Sequence, residues 1–173
     1  MGLFGKEKLE DMEGLLLAQV KDLYDAECRI IDSIPDIVEK ASSNHLKNAL
    51  SSHLIETIQH KKRLEEIFET LEETAVRETC KATKGLIDEV NDTISRDGNP
   101  DVLDAALIAA VQRIEHYEIS AYGSAKAFAN ICGENHVADL LSLTLAEEHE
   151  ADKKLNMLAN GSINDKAGVA NLS

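Results

Sequence analysis

The most constraining feature of this chain is a helical run, from Asp101 to about Asn130, whose core-facing pattern is broken in the middle. Leu107, Val111, Ile114, Glu118, Tyr122 and Ala125 follow one another at three- and four-residue steps, the period of a helix face turned toward a core. Glu115 and Glu118 therefore stand where the pattern asks for leucine or isoleucine. Charged side chains are almost never fully buried unless they are paired or hold a metal. Either this face is wet, or other helices bring something for the glutamates to hold.

The other long segments repeat the theme. From about Lys6 to Lys40, Leu9, Met12, Leu16, Val20, Leu23, Glu27, Ile30 and Ile34 form one seam, broken by Glu27. Pro35 predicts a kink or a new turn after Ser33. Ser42-Ser43-Asn44 predicts a stop and a fresh helix cap. A second helix, from about Asn44 to Glu72, carries Leu46, Leu50, His53, Thr57, His60, Leu64, Ile67 and Leu71, with Glu56 between the histidines. A third, from about Asp101 to Ile131, stops at Gly133. A fourth, from about Glu134 to Asn160, carries Val137, Leu141, Leu145, Glu148, Asp152, Leu155 and Leu158.

Between Glu73 and Pro100 the seam is lost, apart from a short helix from Gly85 through Ile94. Up-and-down bundles use short loops, so a connection this long predicts a crossover. The expected fold is all-α: a ferritin-like four-helix bundle with a long crossover carrying a short fifth helix. Residues 1–160 would form one domain, ended by Gly161, and the small, polar tail 161–173 would be disordered. Two prolines, 3% aromatic residues and no tryptophan suit long helices.

Composition excludes several function classes. A net charge of -14 disfavours nucleic acid and anionic membrane surfaces as partners. No apolar run approaches the ~18 residues that span a bilayer, and Met1 to Lys6 lacks the apolar stretch of a signal peptide. Cys28, Cys80 and Cys132 match no metal or redox spacing, so a reduced, cytoplasmic protein is expected.

The polar breaks fall at matching heights. In an antiparallel hairpin, residues equidistant from the turn lie level, which pairs Glu27 with Glu56 and Glu115 with Glu148; Glu118 lies opposite Glu147. Burying one unpaired carboxylate costs several kcal/mol, and four or five together would exceed the ~5–15 kcal/mol that holds a domain folded. Two divalent cations would relieve both the burial and the mutual repulsion. Carboxylates and imidazoles on four bundle helices form a di-iron or di-manganese ligand set.

Glu27, Glu56, Glu115 and Glu148 are the candidate ligands, with Glu118 bridging and His53 completing the set. Gln59 and His60 would stand behind them and orient them. Tyr122 would hydrogen-bond a carboxylate. Glu147 and Asp152 flank Glu148 and compete for its inward position. Strict Glu-x-x-His, usual in such sites, does not occur in this chain. The alternative is a hydrated polar layer that specifies helix pairing. Cys80 and Gly85 are expected to carry the packing of the crossover, and His116 to face away.

At these residues the chain resembles the YciE/YciF family of bacterial stress-associated, ferritin-like proteins. The likeness runs through Leu23-Tyr24-Asp25-Ala26-Glu27, His53-Leu54-Ile55-Glu56-Thr57-Ile58-Gln59 and Cys80 to Gly85-Leu86. It continues through Glu115-His116-Tyr117-Glu118, Tyr122-Gly123 and Leu145-Ala146-Glu147-Glu148, with Asp152 and Leu155. The resemblance implies a ferritin-like bundle, a homodimer and a stress role, but no assigned reaction. One expectation is a protein that binds two ions, iron or else manganese, and reacts ferrous iron with oxygen or peroxide. A second is a non-enzymatic dimeric stress or interaction protein whose metal site is structural or vestigial. Iron storage is a third, and would need a large hollow assembly.

Overall fold

The computed structural model describes residues 9–169. Among them the chain forms six α-helices and no strand. Helix α1 spans Met12–Lys40 and starts later than the seam predicts. The Asp11 carboxylate accepts the Gly14 N–H at 2.8 Å, a side-chain cap that sets the first turn, while Leu9 is exposed. Residues 6–8 lie outside the described residues. The helix runs through Pro35 without the predicted new turn. Pro35 is exposed, so water can serve the carbonyl that its ring leaves without a donor.

Helix α2 (Asn44–Thr70), helix α3 (Lys81–Ile94) and helix α4 (Pro100–Cys132) follow, then helix α5 (Asn135–Leu158). Asn99 caps α4 by accepting the Asp101 N–H at 2.9 Å. The helix ends at Gly133, whose φ of 80° is the left-handed conformation that glycine adopts at no steric cost. Ser43 precedes α2 but its hydroxyl makes no cap bond. The buried carboxylate of Asp104 on α4 accepts the N–H groups of Ser42 and Ser43 instead, both at 2.7 Å.

Helices α1 and α2 form one hairpin and α4 and α5 another. Helix α1 packs on α4 and α2 on α5, which closes a ferritin-like four-helix bundle, and α3 lies along α1 and α4. Helix α3 starts earlier than predicted, because the Cys80 thiol accepts the Thr83 N–H at 3.3 Å and caps it. Gly85 does not carry the crossover packing: it is exposed, and a side chain there would meet nothing within 4 Å.

The bundle holds two apolar cores. Ile34, Leu46, Leu50, Leu107, Val111 and Leu155 belong to the first. The second includes Leu16, Leu23, Leu64, Phe68, Tyr122 and Leu141. Along every bundle helix the polar breaks fall between these two groups. Gly161 does not end the last helix. A π-helical turn, Ala159–Ile163, leads into helix α6, Asn164–Val169, and Ile163 is buried in the first core. The expected tail is thus helical as far as residue 169; residues 170–173 lie outside the described residues. No helix of the described residues is long and apolar enough to cross a membrane.

Candidate metal centre

Each bundle helix sends acid or imidazole into the layer between the cores. Helix α1 supplies Glu27 and α5 supplies Glu148. Helix α4 supplies Glu115 and Glu118, one turn apart, and α2 supplies His53 and His60, two turns apart and so on one face. The four glutamates are no more than 1% exposed.

Their ligand atoms fall into two overlapping groups, each within a 4.8 Å span: His53, Glu115, Glu118 and Glu148 in one, Glu27, His60 and Glu148 in the other. His53 Nε2 lies 3.3 Å from Glu115 Oε1. His60 Nδ1 lies 2.8 Å from Glu148 Oε1 and 3.5 Å from Glu27 Oε1. None of these three approaches has hydrogen-bond alignment. Both oxygens of Glu115, Glu118 and Glu148, together with Glu27 Oε2, are buried without a hydrogen-bond partner.

The electrostatics follow from that burial. Burial pushes Glu27, Glu115 and Glu118 above the usual carboxylate range. Burial opposes the charge of Glu148 too, but the neighbouring His60 and His53 outweigh it and hold this acid low. The imidazoles respond in kind. Against the effect of burial, Glu115 and Glu56 raise His53 to about 9, and Glu148 and Glu27 raise His60 to about 10. Without a metal, a few charged pairs share a site that holds more acid than base. Buried oxygens without donors, clustered around imidazole nitrogens, are the donor set of hard or borderline divalent cations. Each group could hold such an ion, and Glu148 is common to both.

The structure brings Glu27, His53, Glu115, Glu118 and Glu148 together. Glu56 stands outside both groups: its side chain is 31% exposed, 3.8 Å from His53 Nδ1, and pairs with Lys154 at 3.1 Å. His53 is the main cause of holding the Glu56 carboxyl down at about 2. His60, expected behind the ligands, lies in the centre instead. The seam already carried that signal, since His53, Thr57 and His60 keep its step and Glu56 does not.

Gln59 is exposed. Tyr122 is fully buried and its hydroxyl donates to Glu27 Oε1. Glu147 points outward from the centre, 2.9 Å from His60 Nε2 and bound by the Arg63 guanidinium. Asp152 is away from the centre, on the α4–α5 surface. It accepts from Gln112 at 2.8 Å and lies 3.3 Å from the exposed His116. Sequence reasoning missed Arg63, which gives no sign of its role in a helix rich in basic residues.

Residues 11–168 match the family described as a domain of unknown function, DUF892. The chain belongs to this family. Protein YciF of Escherichia coli (strain K12) is 35% identical over 160 residues, 92% of this chain and 96% of that one. The crystal structure of the E. coli stress protein YciF superposes with a TM-score of 0.86, covering 90% of this chain and 98% of that one. YcfI from Rhodopseudomonas palustris, provisionally described as a structural protein, is 37% identical with a TM-score of 0.85, covering 88% and 98%. A Xanthomonas campestris protein shares the fold at 17% identity and a TM-score of 0.74, over 93% and 99% of the two chains. The DUF892 likeness thus spans all four bundle helices and every residue of the buried centre.

Proposed function

We propose that this DUF892 protein is a di-metal carboxylate protein of the bacterial stress response, binding two divalent ions and reacting ferrous iron with oxygen or peroxide. The observation that carries this reading is the row of buried, unpartnered carboxylate oxygens on Glu115, Glu118 and Glu148, facing His53 and His60. Glu27, His53, His60, Glu115, Glu118 and Glu148 would hold the ions. Oxygen and imidazole donors suit iron, with manganese the alternative. A redox-active iron pair would supply the electrons for reducing a small oxidant.

The remaining residues orient and enclose. Tyr122 fixes Glu27 through its hydroxyl. Glu147, itself held by Arg63, engages His60 Nε2 and leaves Nδ1 toward the centre, an outer partner that sets imidazole tautomer and direction. The two apolar cores exclude water from either side. The stress role follows YciF, described as a stress protein. A homodimer is what the family resemblance implies, and three free cysteines accord with a reduced cytoplasm.

Metal content and anaerobic Fe(II) titration followed by air test the reading. About two irons per chain are expected, with oxygen consumed on exposure and both signals lost in Glu115→Ala and Glu148→Ala. A chain that takes up neither iron nor manganese would sink the metal reading. A second reading, a non-enzymatic structural or interaction protein, draws on the description of YcfI and on the missing Glu-x-x-His. It predicts metal uptake without oxygen consumption, or no uptake at all.

A further inference from the structure

Residues of the buried centre also line the surface between α2 and α5. A small pocket there, about 10 Å³, is lined by His53 and Glu115 together with Glu56, Val111, Ala151 and Lys154. That volume holds about one water molecule. Exposure rises steadily along it: the side chains of Glu115 and His53 are 1% and 8% exposed, those of Glu56 and Lys154 31% and 49%. Glu56 Oε1 accepts from Lys154 Nζ at 3.1 Å, while Glu56 Oε2 turns toward His53 Nδ1 at 3.8 Å.

From this arrangement we propose that the Glu56–Lys154 ion pair is the gate through which divalent cations reach the buried centre. The inference rests on the metal-centre reading and adds the route and its control. A hydrated cation is too large for a one-water pocket, so the rim must move before the ion can pass. Exposed ion pairs are weak and their long side chains mobile, so this rim opens by motion of Glu56 and Lys154, while Leu50, Val111 and Leu155 of the first core line the rest of the pocket. Glu56 offers the first anionic oxygen from the surface, one step from His53, and helps to strip the ion of water. Lys154 repels the incoming charge and occupies that oxygen until the ion displaces it. Glu56 thus serves loading, not the finished site, which accounts for its lying outside both ligand groups.

Stopped-flow loading of the metal-free protein with Co(II), read by its visible absorption, tests the gate. Glu56→Gln should slow loading about tenfold and Lys154→Met should speed it several-fold, in keeping with electrostatic effects on association rates. Stoichiometry at saturation should stay at the wild-type value in both variants, with unchanged circular dichroism. Unchanged loading rates in both variants would overturn the gate while leaving the centre intact. A lower Co(II) stoichiometry in Glu56→Gln would also overturn it, by showing Glu56 to be a ligand. No Co(II) uptake by the wild type would overturn the metal-centre reading and the gate with it, an outcome distinct from the other two.

Discussion

Asp25 and Glu27 lie two residues apart on α1, are both buried, and meet opposite surroundings. Two residues turn a helix by about 200°, so Asp25 faces the crossover while Glu27 faces the bundle axis. Asp25 accepts from Arg29 Nε at 2.5 Å, from Arg77 Nε at 3.0 Å and from the Cys80 N–H at 2.8 Å. Burial acts to raise its carboxyl, but the Arg29, Cys80 and Arg77 hydrogen bonds outweigh it and hold Asp25 below its usual range. Glu27 shares its centre with three more glutamates, and seven of the eight carboxylate oxygens there find no donor. The Asp25 region is complete as it stands and ties the crossover to the bundle. The glutamate layer presents buried oxygens that find no such donors.

Removing Asp25 should give the largest effect. Asp25→Ala leaves the Cys80 amide buried without its acceptor and two guanidinium groups without theirs, a loss of about 2–4 kcal/mol in urea unfolding. If Asp25→Ala leaves stability unchanged, the region does not anchor the crossover. Glu118→Met should act in the opposite direction: replacing an unpartnered buried acid by an apolar chain stabilises the metal-free protein by about 1–3 kcal/mol. The same variant should gain little from added Mn(II), whereas the wild type gains about 2.7 kcal/mol at a hundredfold excess over Kd. Differential thermal melts with and without Mn(II) check both halves, and a destabilised metal-free Glu118→Met would break the comparison.

Asp104 sharpens it further, as a second buried acid whose two oxygens each accept an amide. Asp104→Ala should cost about 1–2 kcal/mol by leaving the two turn amides of Ser42 and Ser43 without their acceptor, measurable by chemical denaturation and insensitive to metal. The smallest signal is in the pH dependence. Asp25 is lowered in the folded state, so its contribution is present above the ordinary carboxylate range and is lost as pH falls through its lower folded value. In the metal-free protein Glu118 is raised, so its contribution is present below that range and is lost as pH rises through its higher folded value. The stability differences from Asp25→Asn and Glu118→Gln should therefore run with opposite slopes against pH; parallel slopes would remove the distinction.

Much of the centre was legible because its residues keep the helical period of the leucines around them. Glu27, His53, Glu118 and Glu148 each occupy a seam position, and Glu115 lies one turn after Val111 and three residues before Glu118. The errors arose where the period allows two steps. After Leu141 the seam can continue at Thr144 or Leu145, and at Ala151 or Asp152. Hydropathy favours Leu145, yet the chain buries Thr144 and Ala151. With Thr144 and Ala151 turned inward, Asp152 lies at the α4–α5 surface, where it accepts from Gln112. Counting from the turn puts Glu56 level with Glu27, whereas His60 is the residue that reaches Glu27.

By itself the sequence determined four long helices, the crossover, the left-handed stop at Gly133 and the polar layer in mid-bundle. Each follows from local periodicity, capping or the lack of a seam, all of which act within a few residues. Only the tertiary structure decided which acids are satisfied and which are not. Asp25 and Asp104 are completed by groups about 50 to 60 residues away in the chain, and no local pattern announces such partners. Helix rotation, set by all the contacts of a helix together, also placed His60 inside and Glu56 at the rim.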